Sequence, residues 1–372
     1  TYIGHETANG VPLVLETTSD TELMNNPRAS VQQVYGRIME DLDEAITLLT
    51  GASARADKAE ISVEVAYGLR ARANLLMGKW AAAASDAANA YGPSPPYSVA
   101  DVSQPTFYNA TDNAWRWGIV VATEDYLAKT GIVNWPSNLC SLTGMGYTTA
   151  ASATDVAYRL INKNLWAKIP ETDVRKGWWV DEDLHSPVLD NGLGEDYAYY
   201  WANGMFNGGT FPSKFSPYTN VKFGPDNGTF ADTDNAQDWP LMRVEEMKLI
   251  EAEALGRDNL ATGKQKLEEF VRQYRDPSYT CTAGSLDAFI DEVWFQRRVE
   301  LWGEGFALFD ILRLKKPIIR QGANYPINST FAEIAAEAPI MIYRIPEAET
   351  SVNSAITEAD NNPAAMAPTP VN

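Results

Sequence analysis

Apolar residues recur at three- and four-residue steps through residues 30–50, and this periodicity constrains the fold more than any other local feature. The recurring positions are Val31, Val34, Ile38, Leu42, Ala45 and Leu49. Such spacing places apolar side chains on one face of an α-helix. Ser30 and Gln33 have the spacing of a capping box, and Gly51 is typical of a helix end. We therefore predict an amphipathic helix over this stretch.

Residues 62–91 predict a pair of packed helices. Small residues and one aromatic residue stand where a tetratricopeptide-like hairpin needs them, at Ala71, Gly78, Trp80, Ala83 and Ala90. Small side chains let two helices approach closely, and Gly78 suits the turn between them. Three prolines at 93, 95 and 96 end the pattern.

Residues 107–240 have a different character, because helical periodicity fades while glycine, proline, asparagine and aromatic residues become frequent. This third of the chain holds 22 of the 40 aromatic residues. One stretch, TDVAYRLINKNLWAKIPETDVRK (154–176), still has a helical pattern. Long loops in compact proteins are usually functional or disordered, and the aromatic content argues against disorder.

Helical periodicity returns after residue 240, in LMRVEEMKLIEAEAL (241–255), KQKLEEFVRQYR (264–275) and RRVELWGEGFALFDILR (297–313). The predicted fold class is mainly α. It consists of a helical hairpin scaffold over 30–92, a loop-rich and aromatic-rich insertion over 107–240, and a C-terminal helical scaffold over 241–346.

Composition excludes several classes of function. The net charge of −19 and the pI of about 4.5 argue against nucleic-acid binding, which depends on an excess of lysine and arginine. Two histidines and two cysteines supply histidine-dependent triads and zinc sites poorly. We predict no cofactor and no metal site. Composition leaves open whether Cys140 and Cys281 form a disulfide bridge. No apolar run is long enough to cross a membrane.

The acids of the 297–313 stretch admit a catalytic and a structural interpretation. On one helix, the Cβ atoms of Glu300 and Glu304 would lie about 5–6 Å apart, which permits a glycosidase pair. The helix is apolar on most sides, however, so buried acids there require cationic partners. We expect Arg297, Arg298 and Arg313 to be those partners, and we favour the structural interpretation.

The aromatic loops are the better candidate for function. An exposed aromatic ring covers the apolar C–H face of a sugar, while neighbouring amides and carboxylates bind its hydroxyl groups. The candidate ligand-binding residues are Trp178, Trp179, Tyr199, Tyr200, Trp201, Asn203 and Asn207. The alternation of Tyr197, Tyr199 and Trp201 also fits one buried face of a strand.

Seven segments, in this order, resemble the SusD/RagB family, which consists of glycan-binding lipoproteins on Gram-negative cell surfaces. The segments are GVPLV (10–14), VYGRIMEDLDEAITLL (34–49), AYGLRARANLLMGKWAAAASDA (66–87), IPETDVRK (169–176), WPLMRVEEMKLIEAEAL (239–255), RRVELWGEGFALFDILR (297–313) and YRIPEAETSVNSAITEADNNPA (343–364).

The resemblance implies a single SusD-like domain over 1–372 that lacks the N-terminal region of the family. It also implies a non-enzymatic protein, held at the cell surface of the bacterial outer membrane by an N-terminal lipid anchor outside this chain. Its expected role is to capture oligosaccharides for a SusC-like, TonB-dependent transporter. In the family, the segment matching 297–313 is scaffold.

Three alternatives remain open. A RagB-like protein would import peptides and would have an acidic pocket with few stacked aromatic residues. An α-helical glycoside hydrolase would release reducing ends. A helical-repeat scaffold for other proteins would expose a helical groove without an aromatic pocket.

Overall fold

The chain folds into a mainly helical structure, as predicted. A computed structural model describes residues 2–129, 138–143, 158–205, 214–232, 234–325 and 333–364. The α-helices are α1 (Asp20–Leu23), α2 (Val31–Leu49), α3 (Val63–Met77), α4 (Trp80–Tyr91), α5 (Val99–Val102), α6 (Tyr126–Lys129), α7 (Lys163–Trp166), α8 (Pro187–Leu193), α9 (Glu195–Ala202), α10 (Val244–Asp258), α11 (Leu260–Tyr274), α12 (Leu286–Glu300), α13 (Ala307–Arg313) and α14 (Glu347–Thr350).

Short antiparallel strand pairs connect segments that are distant in the sequence. The pairs are β1 (Asn9–Pro12) with β2 (Arg28–Ser30), β3 (Trp115–Ile119) with β4 (Trp239–Arg243), and β5 (Ile318–Ile319) with β6 (Glu333–Ile334). The β3–β4 pair joins the two ends of the aromatic-rich region, which the sequence places at 107–240. It therefore connects that region to the helical scaffold.

Helix α2 confirms the prediction for residues 30–50. The Ser30 side chain accepts a hydrogen bond from Gln33 N at 3.2 Å, and the Gln33 side chain accepts one from Ser30 N at 2.8 Å. This is the reciprocal capping box that the sequence indicates. The helix ends at Leu49, and Gly51 follows with φ of +80°.

The predicted hairpin is also present, as α3 and α4. Gly78 joins them with φ of +73°, a left-handed conformation that favours glycine. Ala71, Ala83, Ala87 and Ala90 are fully buried between α3, α4 and α10. Their small side chains allow the helix axes to approach closely.

One local prediction for the aromatic-rich region is wrong, and one alternative is not observed. The 154–176 stretch is not one helix. In its described part, residues 158–176, the only α-helix is the four-residue α7. A 3₁₀ helix starts at Val174. The alternating tyrosines of 197–201, which also fit a strand, belong to helix α9. Local patterns there were too short to distinguish a helix from a strand or a loop.

The 297–313 stretch is also not one helix. Helix α12 ends at Glu300, and a turn containing Gly303 and Gly305, with φ of +83° and +88°, precedes α13. Glu304 lies in this turn, so Glu300 and Glu304 are not neighbours on the face of one helix, as the sequence had suggested. Phe309 on α13 is 61% exposed, so the apolar residues of this stretch are not all packed into the core.

Both cysteines are buried free thiols, which settles the question that composition left open. Burial raises the pKa of the Cys140 thiol to about 12. None of the helices described for the chain combines the length and hydrophobicity that a bilayer crossing requires.

Candidate functional site

The carboxylate of Glu300, at the end of α12, is fully buried among arginines from distant segments. Arg275 Nε and Nη2 donate to its two oxygens at 2.8 and 2.9 Å. Arg175 Nη1 and Arg243 Nη1 lie 3.3 and 3.4 Å from the same carboxylate. Burial opposes ionisation, but Arg275, Arg243 and Arg175 outweigh it and hold the pKa of Glu300 well below its usual range.

Glu304 is neutralised in the same cluster. Lys222 Nζ and Arg243 Nη2 donate to its Oε1 at 2.7 and 2.8 Å. Burial disfavours the charged form, yet Arg243 and Lys222 lower the pKa of Glu304 overall. A glycosidase requires one protonated carboxylic acid near neutral pH. Glu300 and Glu304 are both held ionised and away from solvent, so their geometry fits a structural charge cluster and not an acid–base pair.

The predicted partners of these acids were wrong in part. Arg297 Nε and Arg313 Nε donate to Asp310, both at 2.8 Å, so these two arginines do pair within the stretch. They do not pair with Glu300 or Glu304. Arg298 lies over the ring of Trp294, at 4.8 Å from the centroid. The glycine turn after α12 directs the two glutamates towards arginines that sequence proximity could not identify.

Three of the predicted ligand-binding aromatics are buried. Trp178, Trp179 and Trp201 expose 0%, 1% and 2% of their surface. Trp178 Nε1 donates to the Val102 carbonyl at 3.0 Å, and Trp201 Nε1 donates to the Ser141 carbonyl at 3.1 Å. These rings anchor irregular segments to the core. Because no face of the three rings is open to a ligand in this structure, we remove them from the candidate surface.

The two remaining predicted aromatics, Tyr199 and Tyr200, lie on the exposed side of α9 together with Tyr197. Tyr197, Tyr199 and Tyr200 expose 58%, 58% and 48% of their surface. The opposite face carries Ala198 and Trp201, which are buried, so α9 has a fixed orientation. The rings of Tyr199 and Tyr200 meet edge to face, with centroids 5.9 Å apart. The helix thus presents aromatic surface to solvent while its opposite face is packed against the core.

Polar groups border this tyrosine face. Glu195 and Asp196 are exposed in the first turn of α9. Asn203 caps the other end, where its Nδ2 donates to the Tyr199 carbonyl at 3.0 Å. Asn207 lies outside the described residues. Tyr199, Tyr200 and Asn203 therefore remain predicted ligand contacts, with Tyr197 as a neighbour.

An apolar pocket that sequence reasoning missed lies beside the β3–β4 pair. Its volume is about 290 Å³, and it extends to the turn that contains Gly303 and Glu304. Phe107 and Phe223 contribute to its walls, together with residues 237–241. No periodic signal marks these positions, because they come from separate irregular segments. Within the described ranges, no group of three or more histidine, cysteine or acidic side chains is placed to hold a metal ion.

Solved structures share this fold at low sequence identity. A SusD-like carbohydrate binding protein from Bacteroides vulgatus is 21% identical, with a TM-score of 0.71 over 96% of this chain and 72% of that chain. A SusD superfamily protein from Bacteroides thetaiotaomicron gives the same identity and TM-score over 98% and 73%. A laminarin binding SusD-like protein is 20% identical, with a TM-score of 0.51 over 84% and 68%.

Comparison with curated proteins finds no match. The model of the SusD family, in contrast, matches residues 148–363, which is more than half of the chain. This range includes α9, the buried charge cluster around Glu300 and the C-terminal helices. Together with the shared fold, the match shows that the chain belongs to the SusD family.

Proposed function

We propose that this protein binds glycans on the tyrosine face of α9 and does not alter them chemically. The observation that carries the proposal is the exposure of Tyr197, Tyr199 and Tyr200 on a helix whose other face is buried. Exposed aromatic rings on a fixed support gain hydrophobic contact with the C–H faces of sugars at little conformational cost. The flanking carboxylates and Asn203 supply hydrogen-bond acceptors for hydroxyl groups.

The printed descriptions of two structural relatives support a carbohydrate ligand. One relative is described as a carbohydrate binding protein and another as laminarin binding. The low identity means that these descriptions support the ligand class only. The glycan and its linkage are matters for experiment.

A binding role without catalysis agrees with the ion pairs of Glu300 and Glu304, the two acids that a glycosidase would use. Glu300 and Glu304 are paired with arginine and lysine, and their side chains expose only 0% and 3% of their surface. Incubation with a bound glycan should therefore release no reducing ends. Release of reducing ends by the wild type would support the hydrolase alternative.

We further propose that a SusC-like, TonB-dependent transporter is the partner, and that an N-terminal lipid anchors the protein at the outer-membrane surface. Membership of the SusD family supports both statements. Co-expression of the protein with a SusC-like transporter should give a complex that survives detergent extraction and affinity purification. Failure of the two proteins to co-purify would remove this partner while leaving glycan binding untouched.

Native affinity electrophoresis tests the glycan-binding proposal directly. The wild type should migrate more slowly in gels that contain one of a panel of neutral polysaccharides, with laminarin included. Tyr199→Ala combined with Tyr200→Ala should abolish the retardation. Tyr343→Ala is the matched control, because Tyr343 is 86% exposed but lies outside α9. Retention of peptides instead of polysaccharides would favour the RagB-like alternative.

A further inference from the structure

A second pocket lies between the segment that follows α4 and the helices α10 and α11. Its volume is about 260 Å³. Residues 92–96, positions 248 and 251 of α10 and positions between 266 and 274 of α11 line it. We call it the lysine pocket, because Lys248 and Lys266 are part of its wall. None of its lining residues belongs to α9, so it is separate from the tyrosine face.

The two lysines of this pocket have ammonium groups without a hydrogen-bond acceptor among the described residues. Lys248 is half-buried, and its Nζ lies 3.5 Å from the centroid of the Tyr91 ring. Burial lowers the pKa of Lys248, attraction to Glu251 offsets this only in part, and repulsion from Lys266 adds to it. Lys266 is 35% exposed, and its Nζ lies 3.4 Å from Glu251 and 3.8 Å from Glu269 without a hydrogen bond to either. Both lysines therefore keep unused N–H donors at the pocket surface.

The carboxylates of the pocket keep unused acceptors. Glu251 Oε2 accepts from the Tyr91 hydroxyl, and Glu269 Oε1 accepts from Gln265 Nε2, both at 2.9 Å. The other oxygen of each carboxylate receives no hydrogen bond within the described part of the chain. The side-chain amide of Gln273, which is exposed, is also unpaired there. Free donors and free acceptors thus surround one concave surface.

The arrangement of charges restricts the ligand. Two ammonium groups and two carboxylates line the pocket, so their charges cancel. An anion would pair with the lysines but would face the carboxylates, and a cation would meet the reverse problem. A hydroxyl group donates one hydrogen bond and accepts others. Several hydroxyl groups on one uncharged ring can therefore pair with the lysines and the glutamates at the same time.

Apolar surface and a stiff rim complete the pocket. Phe270 and Tyr274 lie side by side in the wall, with ring centroids 6.2 Å apart, and Tyr274 is half-exposed. An accessible aromatic ring covers the C–H groups of a ligand. Pro93, Pro95 and Pro96 belong to the rim, and their fixed φ angles reduce the conformational freedom that this segment loses on binding. The lining therefore suits the apolar face of a sugar as well as its hydroxyl groups.

We propose that the lysine pocket binds one uncharged sugar unit, as a second glycan site apart from α9. The inference rests on the proposed glycan-binding function and adds a site to it. Lys248 and Lys266 would donate to the hydroxyl groups of the sugar, and Glu251 and Glu269 would accept from them. A volume of about 260 Å³ is below the usual range of ligand sites, about 300–1,000 Å³, which limits the occupant to a single unit.

Titration of the wild-type chain with small glycosides, followed by saturation-transfer NMR, tests the proposal without any substitution. Methyl glycosides of glucose, galactose and mannose are each compared with the corresponding uronide and the corresponding amino sugar. At least one neutral glycoside should bind about fivefold or more tightly than both of its charged relatives, the factor that one hydrogen bond is worth. Tighter binding of a uronide than of every neutral glycoside would overturn the proposal in favour of an anion site. Absence of binding by all neutral glycosides would overturn it outright.

Variants of the lining assign the binding to this pocket. Lys248→Met keeps the length of the side chain but removes the ammonium group, and it should lower the affinity for the bound glycoside about tenfold or more. Gln273→Ala removes an exposed amide without disturbing the core and should lower it about fivefold. Lys79→Met, at an exposed position before α4, is the control and should bind like the wild type. Unchanged affinity in Lys248→Met and Gln273→Ala would overturn the assignment.

The Tyr199→Ala/Tyr200→Ala double variant separates this inference from the proposed function. It should lose retardation in polysaccharide gels but keep the affinity of the wild type for the glycoside. Loss of glycoside binding in the double variant would overturn the second site.

The wild type distinguishes the two failures. Gel retardation without glycoside binding that depends on Lys248 would reject the lysine pocket and keep the tyrosine face. Glycoside binding that depends on Lys248, without gel retardation, would keep the lysine pocket and reject the tyrosine face.

Discussion

Arg275 donates two hydrogen bonds, of 2.8 and 2.9 Å, to the carboxylate of Glu300, and both side chains are completely buried. The two residues are 25 positions apart, because Arg275 directly follows α11 and Glu300 is the last residue of α12. Arg175 and Arg243 contact the same carboxylate, and Glu245 and Asp173 balance the remaining arginine charge. This cluster joins α10 and α12 to the 3₁₀ helix of the aromatic-rich region, so its role is to hold that region on the helical scaffold.

Removing the charge of Glu300 should destabilise the fold strongly. Glu300→Gln leaves three buried arginines with one fewer negative charge, and losing one partner of a buried pair costs about 3–5 kcal/mol. Asp41→Asn is the control, since it removes a half-exposed pair with Arg37 that is worth at most about 1 kcal/mol. Urea unfolding of both variants measures the difference. Similar losses in the two variants would contradict a structural role for the cluster.

Stability should fall in acid through Glu253, which receives hydrogen bonds from Arg313 at 2.6 and 2.7 Å. Burial opposes its charge, but Arg313 and Arg257 prevail and lower the pKa of Glu253 from 4.5 to about 2. The folded state therefore holds this proton less tightly than the unfolded state. The stabilisation is complete above pH 4.5 and is lost as the pH falls through about 2.

The comparison of the wild type with Glu253→Gln checks this pH dependence. The difference in unfolding free energy should be constant between about pH 5 and 7 and should shrink by about 3 kcal/mol towards pH 2. Glu124→Gln, at an exposed position, is the control. A wild-type advantage over Glu253→Gln that persists unchanged down to pH 2 would refute the argument.

The crossing of α10 and α11 should tolerate no side chain at Gly263. A Cβ atom there would lie 2.3 Å from Gly256 Cα and 2.8 Å from the Ala252 carbonyl oxygen. Gly263→Ala should cost about 1–3 kcal/mol, because both obstacles are backbone atoms. Gly36→Ala in α2 meets nothing within 4 Å and should instead stabilise the protein by up to about 1 kcal/mol. Thermal unfolding gives both signs, and stabilisation by Gly263→Ala would show that the helices can separate.

Trp201 and Tyr200 are adjacent in the sequence but should behave in opposite ways. Trp201→Ala removes a buried ring and should cost about 3–5 kcal/mol of stability. Tyr200→Ala removes an exposed ring and should change stability by about 0.5 kcal/mol or less. Chemical unfolding of the two variants compares them. A large loss for Tyr200→Ala would mean that its ring belongs to the core and is unavailable to a ligand.

The sequence predicted the scaffold because the relevant signals are local. The capping box of Ser30 and Gln33, the left-handed Gly78 and the small residues of α3 and α4 each act within a few positions. The partners of Glu300 could not be predicted in this way. They lie 25, 57 and 125 residues away, and only the packing of separate elements brings them together.

The candidate site was predictable in composition but not in orientation. The sequence indicated the tyrosines of α9 together with three tryptophans, yet exposure depends on which face of each element meets the core. Trp201 and Tyr200 differ by one position, and the helix places one inside and the other outside. The apolar pocket carried no sequence signal at all, because it is assembled from six separated segments.

The affinity of the tyrosine face for glycan tests the central claim most directly. Calorimetric titration with a polysaccharide that retards the wild type in affinity gels should give a Kd at least about tenfold weaker for the Tyr199→Ala/Tyr200→Ala double variant, since each stacked ring contributes about 0.5–1.5 kcal/mol beyond its area. The Tyr343→Ala control should bind like the wild type, and all three proteins should unfold at similar temperatures. Equal affinity in the double variant and the wild type would contradict binding on α9.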